Sequence, residues 1–405
     1  MAKKCRPDLH AVLEGDPLHV ILGFFSRANM LRYVSKAFAL HAPCVVNVSD
    51  TRVFPPRVPS RVTSLICKHR DCELLPLLNP GIARLGRDLI RLDLRETLFA
   101  SFDFLGVCWV LKELYLQGSA VQSSGLIHSE SLVVLNMFDT DFELGRVPKL
   151  QELTMQECPV NRVLPPSLTS LNCSYTHTPL SFGGLMLTRL DISGKTLPSL
   201  DFLGLMPLKE LFLTSCRTNK SWQPWPLDGA LLPWCVKLSI SHTTIRPEGT
   251  FERLKVFDMQ ECPSVQRVLD APLLTTLNCA DNDLSVDFID DLKRGMLTEL
   301  NAAGCNQEID LSGLVDLEYL AVPDILLQGD PPLYGFPPNL RVVRFSEEDL
   351  DDIETRLRGL PEHTQVYIRG FDVLDYEDPE ESGLEGAWKS ITTYTLDFLR
   401  EYKAC

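Results

Sequence analysis

The sequence has few of the groupings that covalent chemistry requires. It contains no G-x-S-x-G, P-loop, H-E-x-x-H or G-x-G-x-x-G string, the spacings that seat a nucleophile, a phosphate, a zinc ion or a dinucleotide. Thirteen cysteines are present without one CxxC pair. Cys67 and Cys72 lie close together, but no second pair follows at zinc-ligand spacing. There is no apolar run of about 18 residues, so no membrane-spanning helix is expected. Asp8, Glu14 and Asp16 interrupt the early apolar residues, so a secretory leader is not expected either. Basic residues are in deficit, 39 against 54 acidic ones, for a net charge of −15. That balance argues against nucleic acid as the main ligand, because phosphate binding needs basic surface. These absences point to a protein without cofactor or metal, not an enzyme, with reduced cysteines in the cytoplasm or nucleus.

What is present begins with enough apolar residue, 45%, to exclude disorder as the default state. Charge is spread unevenly. Residues 1–70 carry eleven Lys/Arg and four Asp/Glu, whereas residues 346–385 carry fourteen acids and three bases. The acidic run SEEDLDDIE from Ser346 lacks the glycine and spacing of a calcium loop and is expected to be a solvated face.

One pattern, L-x-x-L-x-L-x-x-(N/C/T/S), recurs from Leu89. It reads LIRLDLRET at Leu89, LKELYLQGS at Leu111, LTRLDISGK at Leu187 and LKELFLTSC at Leu208, with thirteen copies ending at Leu340. Twelve intervals share 251 residues, a mean period of about 21. VTSLICKHR at Val62 and the stretch around Val366 and Ile368 read as degenerate outer copies. In this repetition the chain resembles the leucine-rich-repeat family. The resemblance implies an α/β solenoid, a leucine-rich-repeat horseshoe with a parallel concave sheet, its turns stacking without splitting into separate cores.

The alternation at positions 4 to 6 of each copy predicts a short strand with one buried face. Position 9 lies where the chain leaves the strand. A small side chain that bonds the neighbouring turn fits there, which accounts for Cys158, Cys216, Cys262 and Cys305. Cys67, Cys173 and Cys279 fall on the buried position 6. Connections such as VLPPSLTS and SFGGLMLT are too short and too rich in Pro and Gly for long helices, so the convex side should be irregular or 3₁₀. The block TMQECPVNRVLPPSLTSLNCS near Thr154 is echoed five copies later near Asp258, a sign that the array grew by copying. LPPSLTSLNCS also looks like the short repeats of bacterial effectors. The ligase domain that some of those carry has no counterpart here.

Residues 13–38, LEGDPLHVILGFFSRANMLRYVSKAF, resemble an F-box. Leu13, Leu18, Ile21, Leu22, Phe24 and Phe25 match the first half of that motif, and Met30, Leu31, Val34, Ser35, Lys36 and Phe38 the second. Glu14 stands where the family has proline, and Phe25 to Val34 is about two residues short of the family spacing. The resemblance implies a small N-terminal helical module that binds a Skp-type adaptor through Leu18, Ile21, Leu22, Phe24, Phe25, Leu31 and Val34. A plain helical cap on the first repeat would show the same amphipathic spacing.

The expected working surface is the concave sheet, where positions 3, 5 and 7 face away from the core. Most hold polar residues, such as Arg91, Asp93 and Arg95. Tyr115, Phe138 and Phe212 put large aromatics there instead, and with Arg189 they are the candidate contacts for a protein partner. Trp222, Trp225 and Trp234 sit in a long interval and suit either a binding loop or convex filler. His128, His177 and His242 lie on turns without a metal-ligand neighbour. The expected organisation is 1–45 F-box-like or capping helices, 46–88 a transition with a degenerate first repeat, and 89–372 the repeats. An acidic linker over 373–386 and an amphipathic helix over 387–405 complete it. The functional expectation is a protein-binding receptor that presents a target to a cullin-type ubiquitin ligase. A scaffold with no ubiquitin role is the alternative, and a ligase using its own cysteine a third reading.

Overall fold

The structure is a computed structural model that describes residues 44–47, 62–67, most of 82–345, 361, 364–368 and 393–394. The expected adaptor-binding residues, Leu18 to Val34, lie outside the described residues, as does the acidic run from Ser346. The chain divides into two compact units, Met1–Leu168 with Thr176–Ser181, and Thr169–Tyr175 with Phe182–Cys405.

In the first unit, strands Cys44–Asn47, Val62–Ile66, Arg91–Asp93, Glu113–Tyr115, Val134–Asn136 and Glu152–Thr154 pair in chain order, each parallel to the last. The register sets Leu65, Leu92, Leu114, Leu135 and Leu153 side by side. The second unit repeats the scheme with ten parallel strands, from Ser170–Asn172 through Glu210–Phe212 and Glu299–Asn301 to Gln365–Ile368. Thr393–Tyr394 then pairs antiparallel with the last of them. These two residues, inside the segment expected as a helix, are extended.

Each unit is therefore a parallel-sheet solenoid, one strand per repeat, and the sequence pattern shows why. Positions 1, 4, 6 and 9 are buried copy after copy: Leu89, Leu92, Leu94 and Thr97, then Leu111, Leu114, Leu116 and Ser119. Parallel strands need a crossover, and about 12 residues remain in each period for it. Those crossovers form 3₁₀ turns at Asp103–Gly106, Asp201–Leu205 and Gly229–Leu231 and short parallel pairs such as Trp225–Asp228 with Ile245–Glu248. Ile82 and Leu85 are the α-helical positions among the described residues. Among the described residues the solenoid thus has little helix, as expected of crossovers too short and too rich in proline and glycine to wind it, and the expected N-terminal helical module lies outside those residues.

Position 8 carries a feature absent from the sequence expectation. Its backbone is left-handed in copy after copy, from Glu96 (φ 57°) and Asp139 (φ 51°) to Tyr175, His242 and Asp281. The turn aims the position-8 N–H at the position-7 carbonyl of the next copy, as from Glu96 to Gln117 and from His242 to Gln260, both 2.8 Å. Position 9 closes the turn as expected, and its partner is specific. Thr97 donates its hydroxyl to the Cys67 carbonyl at 2.7 Å, Ser119 to Leu94 at 2.9 Å, and Cys262 its thiol to Ile240 at 2.9 Å. The acceptor each time is position 6 of the preceding copy, so the side chain satisfies a buried carbonyl.

Candidate functional site

In the first unit, position 3 of one copy and positions 3 and 5 of the next converge on the concave face. Arg91 pairs with Glu113 (Nη1 to Oε2, 3.5 Å) and lays its guanidinium 4.6 Å from the Tyr115 ring centroid. The Tyr115 hydroxyl donates to the same Glu113 Oε2 at 3.2 Å. Burial pushes the Tyr115 hydroxyl above its usual pKa, with Glu113 adding to the effect. The parallel register produces this cluster. Arg91 stands opposite Glu113 and Asp93 opposite Tyr115, so Arg91 and Tyr115 are diagonal neighbours on one face. Beside them Arg95 grips Asp93 through Nε (2.9 Å) and Nη2 (2.7 Å). Asp93, expected to face solvent, is buried beneath that clasp.

The second unit carries a copy. Arg189 pairs with Glu210 at 3.5 Å and lies 5.4 Å from the Phe212 ring centroid. Lys237, from the following copy, approaches the same ring to 5.3 Å. Phe212 is thus flanked by a cation on each side and lacks the hydroxyl that ties Tyr115 to its glutamate. Both stations follow a 3₁₀ turn with the sequence DFLG, at Asp103–Gly106 and Asp201–Leu205, and lead into LKELYL and LKELFL. The copying seen near Thr154 and Asp258 therefore extends over five repeats and includes the station itself. Phe138 is half-buried and belongs to neither station.

Sequence reasoning missed a third element. Seven copies hold Asp or Asn at position 5, and each accepts the position-7 N–H of its own copy, as Asn136 does from Phe138 (3.1 Å) and Asp191 from Ser193 (3.0 Å). The signal lies in the alignment of the copies, where position 5 repeats Asp or Asn. In the second unit these side chains also link across strands. Ser239 and Ser241 donate to Asp258 at 3.0 and 2.6 Å, Asn278 Nδ2 to Asp258 at 2.9 Å, and Asn301 Nδ2 to Asn278 at 2.9 Å. The resulting polar ladder runs across strands from Ser239 to Asn301 and restrains the side chains it links.

Among the described residues no group of three His, Cys, Asp or Glu could hold a metal ion. Among the same residues no helix is long and apolar enough to cross a membrane. His128 Nδ1 accepts the Arg146 N–H at 2.9 Å, and His242 faces Glu261 at 3.0 Å, so both have structural partners. Nine described cysteines, Cys67 to Cys305, are buried without disulfides. Burial pushes the thiols of Cys67, Cys173, Cys216 and Cys235 up to about 12 and that of Cys108 to about 11. Of the insert tryptophans, Trp225 is half-buried in a convex strand, whereas Trp234 is exposed with Arg253 stacked on it at 4.3 Å. Trp222 lies outside the described residues.

Neither a protein-family model nor a curated protein matches the chain. Solved structures with similar folds are leucine-rich-repeat proteins. An internalin, inlF of Listeria monocytogenes, is 15% identical over 64% of this chain and 80% of its own, with a TM-score of 0.46. The functional domain of Listeria InlJ, which includes a cysteine ladder, is 15% identical over 71% and 63% (TM-score 0.44). TLR13, solved with ssRNA13, is 15% identical over 76% and 60% (TM-score 0.44).

Proposed function

We propose that this chain is a protein-binding solenoid in which each unit offers a protein partner one station on the concave face, Arg91–Glu113–Tyr115 in the first and Arg189–Glu210–Phe212 in the second. The observation that carries the reading is the stacking of an arginine on an aromatic ring in both copies. A ring held flat beneath a guanidinium loses little freedom on binding, and Arg, Tyr and Phe are residues that anchor protein interfaces. Each guanidinium is oriented by its glutamate and stands ready for a carboxylate on the partner.

Among the described cysteines, burial raises the thiols of Cys67, Cys108, Cys173, Cys216 and Cys235, which leaves these five poor nucleophiles and favours a binding role, since a nucleophilic cysteine needs a lowered pKa. Reduced cysteines also favour a cytoplasmic or nuclear site over a secreted one. The F-box resemblance of residues 13–38 favours one specific assignment within this reading. An adaptor of the Skp type would hold Leu18, Leu22, Phe25 and Leu31, and the bound protein would be a ubiquitination target, with the transfer performed by a separate enzyme.

The test is a quantitative pull-down with the full chain, comparing it with Tyr115→Ala, Phe212→Ala and Phe25→Asp. Loss of a captured protein from each concave variant is expected, with loss of adaptor and cullin from the third alone. An unchanged set of captured proteins in the concave variants would overturn the binding face. Absence of adaptor from the unaltered chain would overturn the ubiquitin role and leave the scaffold reading.

A further inference from the structure

Three of the buried cysteines mark the same place in the fold. Cys67, Cys173 and Cys279 are equally spaced, five copies apart, each at position 6 of its copy. The residue at position 9 of the following copy differs among the three places: Thr97, Lys195 and Cys305. The third place therefore brings two thiols together, both on buried residues. The Cys305 thiol donates to the Cys279 carbonyl at 3.1 Å, and the Cys279 thiol to the Asn301 carbonyl at 3.4 Å. The two sulfurs also lie within hydrogen-bonding reach of each other. Backbone pairing sets this up. Asn278 stands opposite Asn301, so Cys279 lies beside Ala302, one strand spacing of about 4.8 Å away. The Cys305 N–H returns to the Ala302 carbonyl at 3.2 Å, and that turn folds Cys305 back towards Cys279. The other position-9 cysteines, Cys158, Cys216 and Cys262, donate instead to the carbonyls of Met137, Ile192 and Ile240, which offer no thiol.

We propose that Cys279 and Cys305 are a redox-active pair, which closes into a disulfide between two successive repeats when the chain meets a small disulfide such as oxidised glutathione. One thiolate attacks the glutathione disulfide and releases one glutathione thiol; the second thiolate displaces the other. Two protein thiols are thereby oxidised to one S–S bond, and one glutathione disulfide is reduced to two glutathione thiols. Closure strands no buried acceptor. Once both thiol protons have left, the Cys279 carbonyl still accepts from Asn282 Nδ2 at 2.9 Å, and the Asn301 carbonyl from the Cys279 N–H at 2.8 Å. The Cys305 contact, together with burial, holds the Cys279 thiol well above its usual range. The intact turn is therefore unreactive, and exchange proceeds from locally opened repeats, where both thiols return to about 8.5. The bond would join the two copies that carry Asn278 and Asn301, and so fix the end of the polar ladder on the concave face. None of this depends on what the concave stations bind.

The experiment incubates the full, reduced chain with oxidised glutathione in urea below the unfolding midpoint, where repeats open locally. Acid quenching, alkylation of the remaining thiols and peptide mass spectrometry follow. Cys262, buried at position 9 without a thiol neighbour, is the internal control, and the urea is raised until glutathione is found on it. At that point a peptide pair joined through Cys279 and Cys305, two hydrogens lighter than the reduced pair, is expected at least tenfold above any other linked pair of cysteines. Cys305→Ser keeps a small donor at position 9 and should leave glutathione on Cys279 without a link. Lys195→Cys should add a second link, to Cys173. After the urea is removed, amides of residues 279–305 should exchange at least tenfold more slowly in the linked chain, and dithiothreitol should restore the original rate. Glutathione retained on Cys279 and Cys305 separately would overturn the proposal, as would links spread evenly among the cysteines. Faster exchange in the linked chain would show that the bond strains the turn, which also overturns it. No gain of a link in Lys195→Cys would overturn the positional basis of the pairing.

Discussion

The guanidinium of Arg91 lies 4.6 Å from the centroid of the Tyr115 ring, held there by one glutamate, Glu113, that contacts both. The three residues come from two successive repeats, so the contact exists only because the parallel register places Arg91 opposite Glu113. A slip of one residue would turn Tyr115 into the core and Leu114 out of it. The station therefore reports the register of the solenoid as well as forming a surface.

A double-mutant cycle on Arg91→Ala and Tyr115→Ala should give a coupling of about 0.5–1 kcal/mol, the size of a partly exposed cation–π pair. The matching cycle on Arg189→Ala and Phe212→Ala should give less. Its separation is longer, and Lys237 remains 5.3 Å from the ring after Arg189 is removed. Urea unfolding monitored by circular dichroism measures both, and additivity at Arg91 and Tyr115 would show that the stacking contributes nothing.

Much of this was legible in the sequence. Leu92, Leu94, Leu114, Leu116, Leu190 and Ile192 are buried as their spacing predicts, because a period of 2 within a period of about 21 leaves few other arrangements. Tyr115, Phe138 and Phe212 were identifiable as exceptions to a polar rule, and Arg189 as a polar candidate contact. Their grouping was not, since Arg91 and Tyr115 are 24 residues apart and meet only through strand pairing. The seal over Asp93 was also hidden, because a hydrophilic residue at a concave position gives no sign that its neighbour Arg95 will cover it. The left-handed turn at position 8 was obscured by its occupants. Glu96, Asp139, Tyr175 and His242 are not glycine, and the turn is fixed by hydrogen bonds between copies rather than by local preference.

That turn makes two glycines behave differently. Gly118 (φ 62°) and Gly194 (φ 74°) occupy the same position 8. A Cβ on Gly118 would meet nothing nearer than Glu96 at 3.8 Å, whereas one on Gly194 would fall 2.4 Å from the Tyr175 ring. Gly118→Ala should cost about 1 kcal/mol, the left-handed penalty alone. Gly194→Ala should cost more, and Tyr175→Ala in the same chain should recover the excess. Equal urea midpoints for the two single variants would show that Tyr175 yields freely.

The thiols predict a response to pH. Folded Cys67, Cys173, Cys216 and Cys235 are pushed up to about 12, above the ~8.5 of an unfolded thiol. The folded state holds more protons between those values, so the stability they contribute is full below about 8.5 and declines as pH rises toward 12. Urea midpoints should fall steadily from pH 8.5 to 10.5. At pH 8 the buried thiols should react with a disulfide reagent only after denaturation, and all thirteen cysteines of the chain should titrate in denaturant without prior reduction. Paired cysteines in freshly isolated protein would contradict the cytoplasmic or nuclear assignment.

Lys195 departs from the rule at position 9, where the other copies that open between Leu89 and Leu297 place a small side chain. It is buried, and burial lowers its pKa, with Cys173 and Cys216 acting weakly in the opposite direction. The sign is the reverse of that for the thiols. A folded pKa below the unfolded one means that the cost of charging Lys195 is absent above about 10.4 and grows as pH falls through the folded value. The corresponding residue five copies earlier is Thr97, whose hydroxyl donates to the Cys67 carbonyl at 2.7 Å. Lys195→Thr removes the buried cation and its pH-dependent cost while keeping a polar group at position 9. Because a solenoid opens locally, the effect is read as hydrogen exchange over residues 192–217, where the protection of the variant relative to the unaltered chain should fall as pH rises toward about 10.4. A relative protection that does not change with pH would mean that burial does not hold back the charging of Lys195.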